Sequence, residues 1–510
     1  MKKIDNIRNT LIIALIFSFT LNACDDFLTK NPVDSLAIGN YWKTEDDLKS
    51  WNAGIYNALQ SALASNMLIW GESRADDFYD TSYGGSNYVL NLLDDKNSYA
   101  NWEALYQVIN RCNIMLEKVE TIPEVSDNTK RYYKGQALGI RALMYFYGVR
   151  VWGRIPKVTI SWDGTEKNKY KERASIEDIC SLIESDINES LKNLEGNTEN
   201  VYYFGEAAAY ALQIEYNMYR KDYEKAISVS DMYLQLVKTK KSYVIGADTW
   251  RKIFLDPSSS KETIFSLHWD FSTNGANPYG AIASSPGSPN TLFRLSNNVW
   301  RLMLADKNDV RFWGVVDTLA YYNDMTYGAK KQNLTIENGP TASTTALLLH
   351  MNDKFYELNT ANYSFSTQVS SQCSFKLPIY RHADVMLLRA EALNKLGGND
   401  TEVFKIINDI RLRCGNKKIA LAENYPIRDG WIDGSREKLI LQERQLEFYG
   451  EGKRYFDLMR TGLLKVALDE HYNEIQSNPT GFDEARTLWP VYYKVFSSNP
   501  SLQGDQNSPY

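Results

Sequence analysis

The sequence predicts a mostly helical fold that supports a loop-rich region with a few short strands. Three observations lead there. Apolar residues recur at three- and four-residue steps across residues 40–238 and again across 380–465. Between them, from about residue 239 to 378, Gly, Ser, Pro, Asn and Thr crowd into runs such as STNGANPYGAIASSPGSPN. Helices in the two periodic stretches carry small residues on one face, as in YYKGQALGIRALMYF and DVMLLRAEALNKL, which lets antiparallel neighbours approach closely, as in tetratricopeptide-like helix pairs.

The first element is a leader. Lys2, Lys3 and Arg8 precede an uncharged, almost wholly apolar run over 11–21, followed by Leu21-Asn22-Ala23-Cys24. A bilayer-spanning helix needs about 20 apolar residues, so the run reads as a cleaved signal. Small or apolar residues ahead of a cysteine match a lipobox. Residues 1–23 are therefore expected to be removed and Cys24 to carry lipid, a multi-chain anchor that holds stably on a membrane. The competing reading is an ordinary secretory signal that happens to precede a cysteine. Removing three bases and one acid moves the formal net charge from −6 to −8. An acidic surface disfavours polyanions, so nucleic acid is not an expected partner.

The helices follow in order. Thr44 can cap a helix with Leu48, Trp51, Ile55, Leu59 and Leu63 on one face. Trp102, Leu105, Ile109, Cys112, Leu116 and Val119 repeat the period, and Tyr133, Ala137, Ile140, Met144, Tyr147 and Val151 do so again, with an exit at Gly153 and Pro156 just beyond. Ser175 and Asp178 open a helix with Ile179, Ile183 and Ile187; two more are expected over 205–220 and 223–237. In the loop-rich stretch, 263–269 reads as an isolated strand, and the density of aromatic residues argues against disorder. Helices return over 381–396, ended by Gly397-Gly398, then 401–413, 435–449 and 453–464.

No metal or cofactor is expected. The five cysteines form no CxxC and the four histidines are scattered. Cys112 and Cys180 lie in amphipathic patterns and read as buried thiols. Glu443, Glu447 and Glu451 invite a glycosidase reading, which needs two carboxylates flanking a bond. Their four-residue spacing among Arg444, Arg454, Asp457 and Arg460 instead predicts an ion-pair network that docks a helix. No GxSxG, Walker loop or HExxH occurs, so no enzyme is expected.

The chain holds 34 Tyr and 12 Trp, and aromatic rings beside polar loops suit sugars. A pyranose offers an apolar C–H face for an aromatic ring and a hydroxyl rim for polar side chains. Two stretches have both. Residues 70–91 contribute Arg74, Asp76, Asp77, Tyr79, Tyr83, Asn87 and Tyr88; residues 269–327 contribute Trp269, Tyr279, Trp300, Trp313 and Tyr327. For Trp300 and Trp313, with apolar neighbours, the competing reading is a core anchor.

Taken together, several segments resemble one family, the SusD/RagB outer-membrane lipoproteins. They are Asn40-Tyr41-Trp42 near the start, the Trp102–Tyr106–Ile109–Asn113 helix, and Arg141-Ala142-Leu143 with Trp152-Gly153-Arg154-Ile155-Pro156. Further along come Tyr380-Arg381 with Ala390-Glu391-Ala392, and above all Glu443-Arg444, Glu447, Glu451-Gly452, Arg454, Asp457-Leu458 and Arg460-Thr461-Gly462. The resemblance implies one SusD-like domain over 24–510, lipid-anchored and surface-exposed on the outer membrane. It further implies that the protein binds oligosaccharides and delivers them to a SusC-like TonB-dependent transporter. A peptide-binding member of the same family is the alternative, and a surface glycoside hydrolase a more distant one.

Overall fold

The computed structural model describes residues 41–80, 86–162, 170–197, 200–238, 241, 247–275, 277–278, 293–306, 308–315, 374–419, 425–475 and 481–510. The leader with Cys24, and Tyr83, Tyr279, Tyr327 and Cys373, lie outside the described residues.

Helix α1 (Glu45–Leu63) starts as its sequence requires. The Thr44 hydroxyl accepts from the Asp47 N–H at 3.3 Å and the Asp47 carboxylate accepts from the Thr44 N–H at 2.8 Å. Each side chain satisfies a donor that the helix start would leave orphaned. Next come α2 (Asn66–Gly71), β1 (Phe78–Asp80), α3 (Ser86–Val89) and α4 (Glu103–Lys118). The long α5 (Asp127–Trp152) is capped by Ser126 and ends at Gly153, whose φ of 71° is cheap only for a residue without Cβ. Then α6 (Ile176–Leu194), capped by Ser175, precedes α7 (Glu206–Arg220) and α8 (Tyr223–Val237).

The loop-rich stretch holds more structure than its composition implies. It contains α9 (Ala247–Leu255), β2 (Thr263–Leu267), α10 (Phe271–Asn274), β3 (Phe293–Leu295), α11 (Asn297–Leu304) and α12 (Val310–Val315). β2 is not isolated: it pairs antiparallel with β4 (Leu377–Arg381), from Thr263 opposite Arg381 to Leu267 opposite Leu377, and every residue of both strands is buried. β1 pairs antiparallel with β3, Phe78 opposite Leu295. These two ribbons stitch the middle of the chain to both helical arms, a long-range pairing that local composition cannot announce.

The last arm holds α13 (His382–Leu396), α14 (Asp400–Arg413), α15 (Arg436–Phe448), α16 (Arg454–Thr461), α17 (Leu464–Ile475) and α18 (Tyr493–Ser498). The helix expected over 453–464 is therefore shorter: Gly462 takes φ 76° and closes α16, and α17 begins past it. Helix-on-helix packing runs through α1 and α4, α4 and α5, α5 and α6, α7 and α8, then α8 against α13 and α13 against α14. The fold is thus mostly helical, with two-stranded ribbons, as expected. Cys112, Cys180 and Cys414 are buried free thiols, and burial raises all three above the usual thiol range.

Candidate ligand-binding site

The carboxylates with glycosidase-like spacing come first, because their surroundings decide what they can do. Glu447 accepts from Arg413 at 2.6 Å, Arg381 at 2.9 Å and Arg311 at 3.3 Å. Glu443 is shared by Arg311 at 2.7 Å and Arg411 at 2.9 Å, and Glu451 takes Arg381 as a two-pronged partner at 2.8 Å for each bond. Arg444 bridges Asp457 and Asp384, and Arg460 clamps Glu391. All these acids are buried. Burial works to raise Glu447, but the three guanidiniums outweigh it and hold its carboxyl far below the usual range. A carboxylate so held is a poor proton donor and has no face open to substrate. An ion-pair joint forms, as the sequence predicts, but Glu443, Glu447 and Glu451 take their arginines from other elements rather than Arg444, Arg454 or Arg460 of the same stretch.

The same joint captures part of the expected ligand stretch. Asp76 takes the Arg454 guanidinium through two bonds of 2.7 and 2.8 Å. Asp77 accepts from the Gln445 amide at 2.6 Å, and burial, with Glu72 and Asp76 nearby, pushes its carboxyl well above the ordinary range. Glu72 accepts from the Gly450 and Gly452 N–H groups at 2.5 and 2.6 Å. Arg74 donates to Asn91 at 2.6 Å and to the carbonyls of Arg486 and Thr487, and lies over the Tyr455 ring. Arg74, Asp76 and Asp77 are thus buried structural groups rather than ligand contacts, because buried polar groups are kept where hydrogen-bond partners satisfy them.

The aromatic candidates divide. Trp300 is packed on Phe312 and fully buried, the core-anchor outcome. Trp269 is turned inward, its indole N–H donating to the Gly275 carbonyl at 2.9 Å. Tyr88 packs edge-on to Tyr99 and Phe293, with Asn97 donating to its hydroxyl at 3.1 Å. None of these three presents a free ring face, since all three are buried. Asn87 is exposed. The side chains of Tyr79 and Trp313 are outside the described residues, as are Tyr83, Tyr279 and Tyr327.

Open aromatic surface gathers elsewhere. A cavity of about 810 Å³ opens between the start of α4, the chain after α5, Tyr170-Lys171 and the stretch through α18. Its rings come from Trp102, Tyr106, Trp162, Tyr170 and Tyr492, and amides of Asn101, Gln107, Asn110 and Asn499 stand among them. Trp162 is 52% exposed and Tyr170 42%. Glu103 is the one acid among the described lining residues, short of the pair that glycoside hydrolysis uses. Sequence reasoning missed Trp162, Tyr170 and Tyr492. The signal was present, an aromatic residue in a polar stretch, as in Ser161-Trp162-Asp163-Gly164.

Residues 269–510 match the profile of the SusD family, and residues 26–216 match a second profile, described as starch-binding and associating with the outer membrane. The chain belongs to the SusD/RagB family. It is 28% identical to the SusD-like protein P38 of Formosa agariphila over the full length of both. Among solved structures, it superposes on B. fragilis NanU with a TM-score of 0.70 (23% identity, covering 94% of this chain and 99% of that one). A laminarin-binding SusD-like protein gives 0.68 at 18% identity, covering 92% and 100%. At these identities the structural likeness is one of fold. As a family, SusD-like proteins are carbohydrate-binding and associate with the outer membrane.

Proposed function

We propose that this SusD/RagB member is a lipid-anchored surface receptor, tethered through Cys24 after loss of residues 1–23, that binds oligosaccharides and passes them to a SusC-like TonB-dependent transporter. The observation that carries the reading is the open groove, where aromatic rings and amides stand together and a catalytic acid pair is missing from the described lining. Rings and amides are the two kinds of group that a sugar face and its hydroxyl rim require. Asn87, with Tyr79, Tyr83, Tyr279, Trp313 and Tyr327, stays in the proposal as a further set of ligand contacts.

Isothermal calorimetry of the mature protein against laminarin, soluble starch, xylan, pectin and chitin oligosaccharides tests it. Saturable binding to at least one glycan, with no release of reducing sugar, is expected. Silence across the panel, with binding to peptides, would replace the ligand class. Labelling cells with a palmitate analogue checks the anchor, with Cys24→Ala expected to abolish the label.

A further inference from the structure

The groove wall that carries Trp162 is held in place by side chains of two helices, chiefly α4. Beyond Pro156 the chain runs without regular secondary structure along α4. Asn113 donates to the carbonyls of Val158 and Ile160 at 3.1 and 3.0 Å. Glu117 accepts from the Ser161 N–H and hydroxyl at 2.6 and 2.7 Å. Asn110 accepts from the Trp162 N–H at 2.8 Å and reaches its carbonyl at 3.4 Å. Tyr145 adds a donor and an acceptor to Val158, each at 2.8 Å. The ladder is braced from behind: Arg141 donates to Asn113 at 2.8 Å and grips Asp186 of α6 through two bonds of 2.7 Å.

Asn110, Asn113 and Glu117 are spaced by three and four residues and share a helix face. They satisfy the backbone that a neighbouring strand would otherwise pair. The arrangement leaves the Trp162 indole half in water, where a tryptophan is usually buried, while its own backbone is fixed. A rigid backbone beneath an open ring is what low-cost stacking needs, because little freedom is lost on binding.

We propose that Trp162 is the stacking platform of a carbohydrate site in this groove, apart from the 70–91 and 269–327 stretches, with Asn110 and Glu117 as positioning residues. The occupant is a run of pyranose rings. Trp162 takes an apolar sugar face, Tyr170 and Tyr492 flank it, and Gln107 meets hydroxyls. The inference rests on the glycan-binding reading above and deepens it.

The experiment is calorimetry on the same glycan panel with wild type, Trp162→Ala, Trp162→Phe, Asn110→Ala and the Asn110→Ala/Trp162→Ala double variant. Trp162→Ala is expected to weaken binding about tenfold and Trp162→Phe less. Asn110→Ala is expected to weaken it about threefold in the presence of Trp162 and not at all in its absence, the non-additivity that marks action through the indole. Oxidative footprinting of wild type supplies a readout without mutation: bound glycan should shield Trp162. Wild type that binds no glycan overturns the functional reading and this site with it. Wild type that binds, with Trp162→Ala unchanged and Trp162 unshielded, overturns the site alone and leaves the reading standing. An equal loss from Asn110→Ala on both backgrounds overturns the positioning role.

Discussion

Replacing Glu447 with Gln separates the joint from catalysis. The carboxylate is fully buried and sits among three guanidiniums at 2.6, 2.9 and 3.3 Å, while its backbone carbonyl accepts a further Arg381 N–H at 3.1 Å. The amide keeps the shape but removes the charge, and its NH₂ turns donors toward donors. Removing one partner of a buried ion pair costs about 3–5 kcal/mol. Unfolding entropy near 2.1 cal/mol/K per residue gives roughly 1 kcal/mol/K for a chain of about 490 residues, so the melting temperature should fall by about 3–5 °C. Because the native carboxyl is held far below its free value, this stability is fully present above the unfolded carboxylate range. It is lost as pH falls through that range toward the folded value, as the unfolded chain takes up a proton that the native state refuses. The gap between wild type and variant should therefore hold at neutral pH and narrow in acid. Scanning calorimetry at several pH values measures it, with glycan affinity followed in parallel. A variant as stable as wild type that lost sugar release or binding would refute the structural assignment.

Three further outcomes are expected. Gly71→Ala should destabilise by roughly 3 kcal/mol or more in urea unfolding, because a Cβ there would stand 1.8 Å from the carbonyl oxygen of Gly452, a residue whose N–H donates to Glu72; Gly54→Ala, opposed only by the flexible Arg111 guanidinium at 2.9 Å, should cost much less. Asp77→Asn should stabilise by about 1–2 kcal/mol at pH 8 and less at pH 4, since the raised native carboxyl must hold a proton that the unfolded chain releases in neutral solution; calorimetry at the two pH values decides. Burial, with Arg413 and Lys241 nearby, lowers His382 to about 4. Its contribution is present above pH 6.5 and is lost as pH falls from 6.5 to 4, up to ~3 kcal/mol. His382→Gln should flatten the change in urea midpoint between pH 7.5 and 4.5.

Much of the scaffold was legible because its signals are local. Helices α1, α4, α5 and α6 announce themselves by apolar spacing within one segment, and Thr44, Ser175 and Gly153 mark their ends with groups that act within three or four residues. That Glu443, Glu447 and Glu451 enter ion pairs was readable from the dense mixed charge in one stretch, but their partners were not: Arg311, Arg381, Arg411 and Arg413 come from other elements, while Arg444, Arg454 and Arg460 serve Asp457, Asp76 and Glu391. The tertiary structure alone decided which rings face water. Trp269 and Trp300 turn inward, and Asp76 is consumed by Arg454, which joins the first helical arm to the last. Trp162 faces outward because three α4 side chains hold the backbone on which it stands. Whether such a side chain is buried depends on how whole segments pack together, as when Arg454 takes Asp76, so no periodicity within one segment carries it.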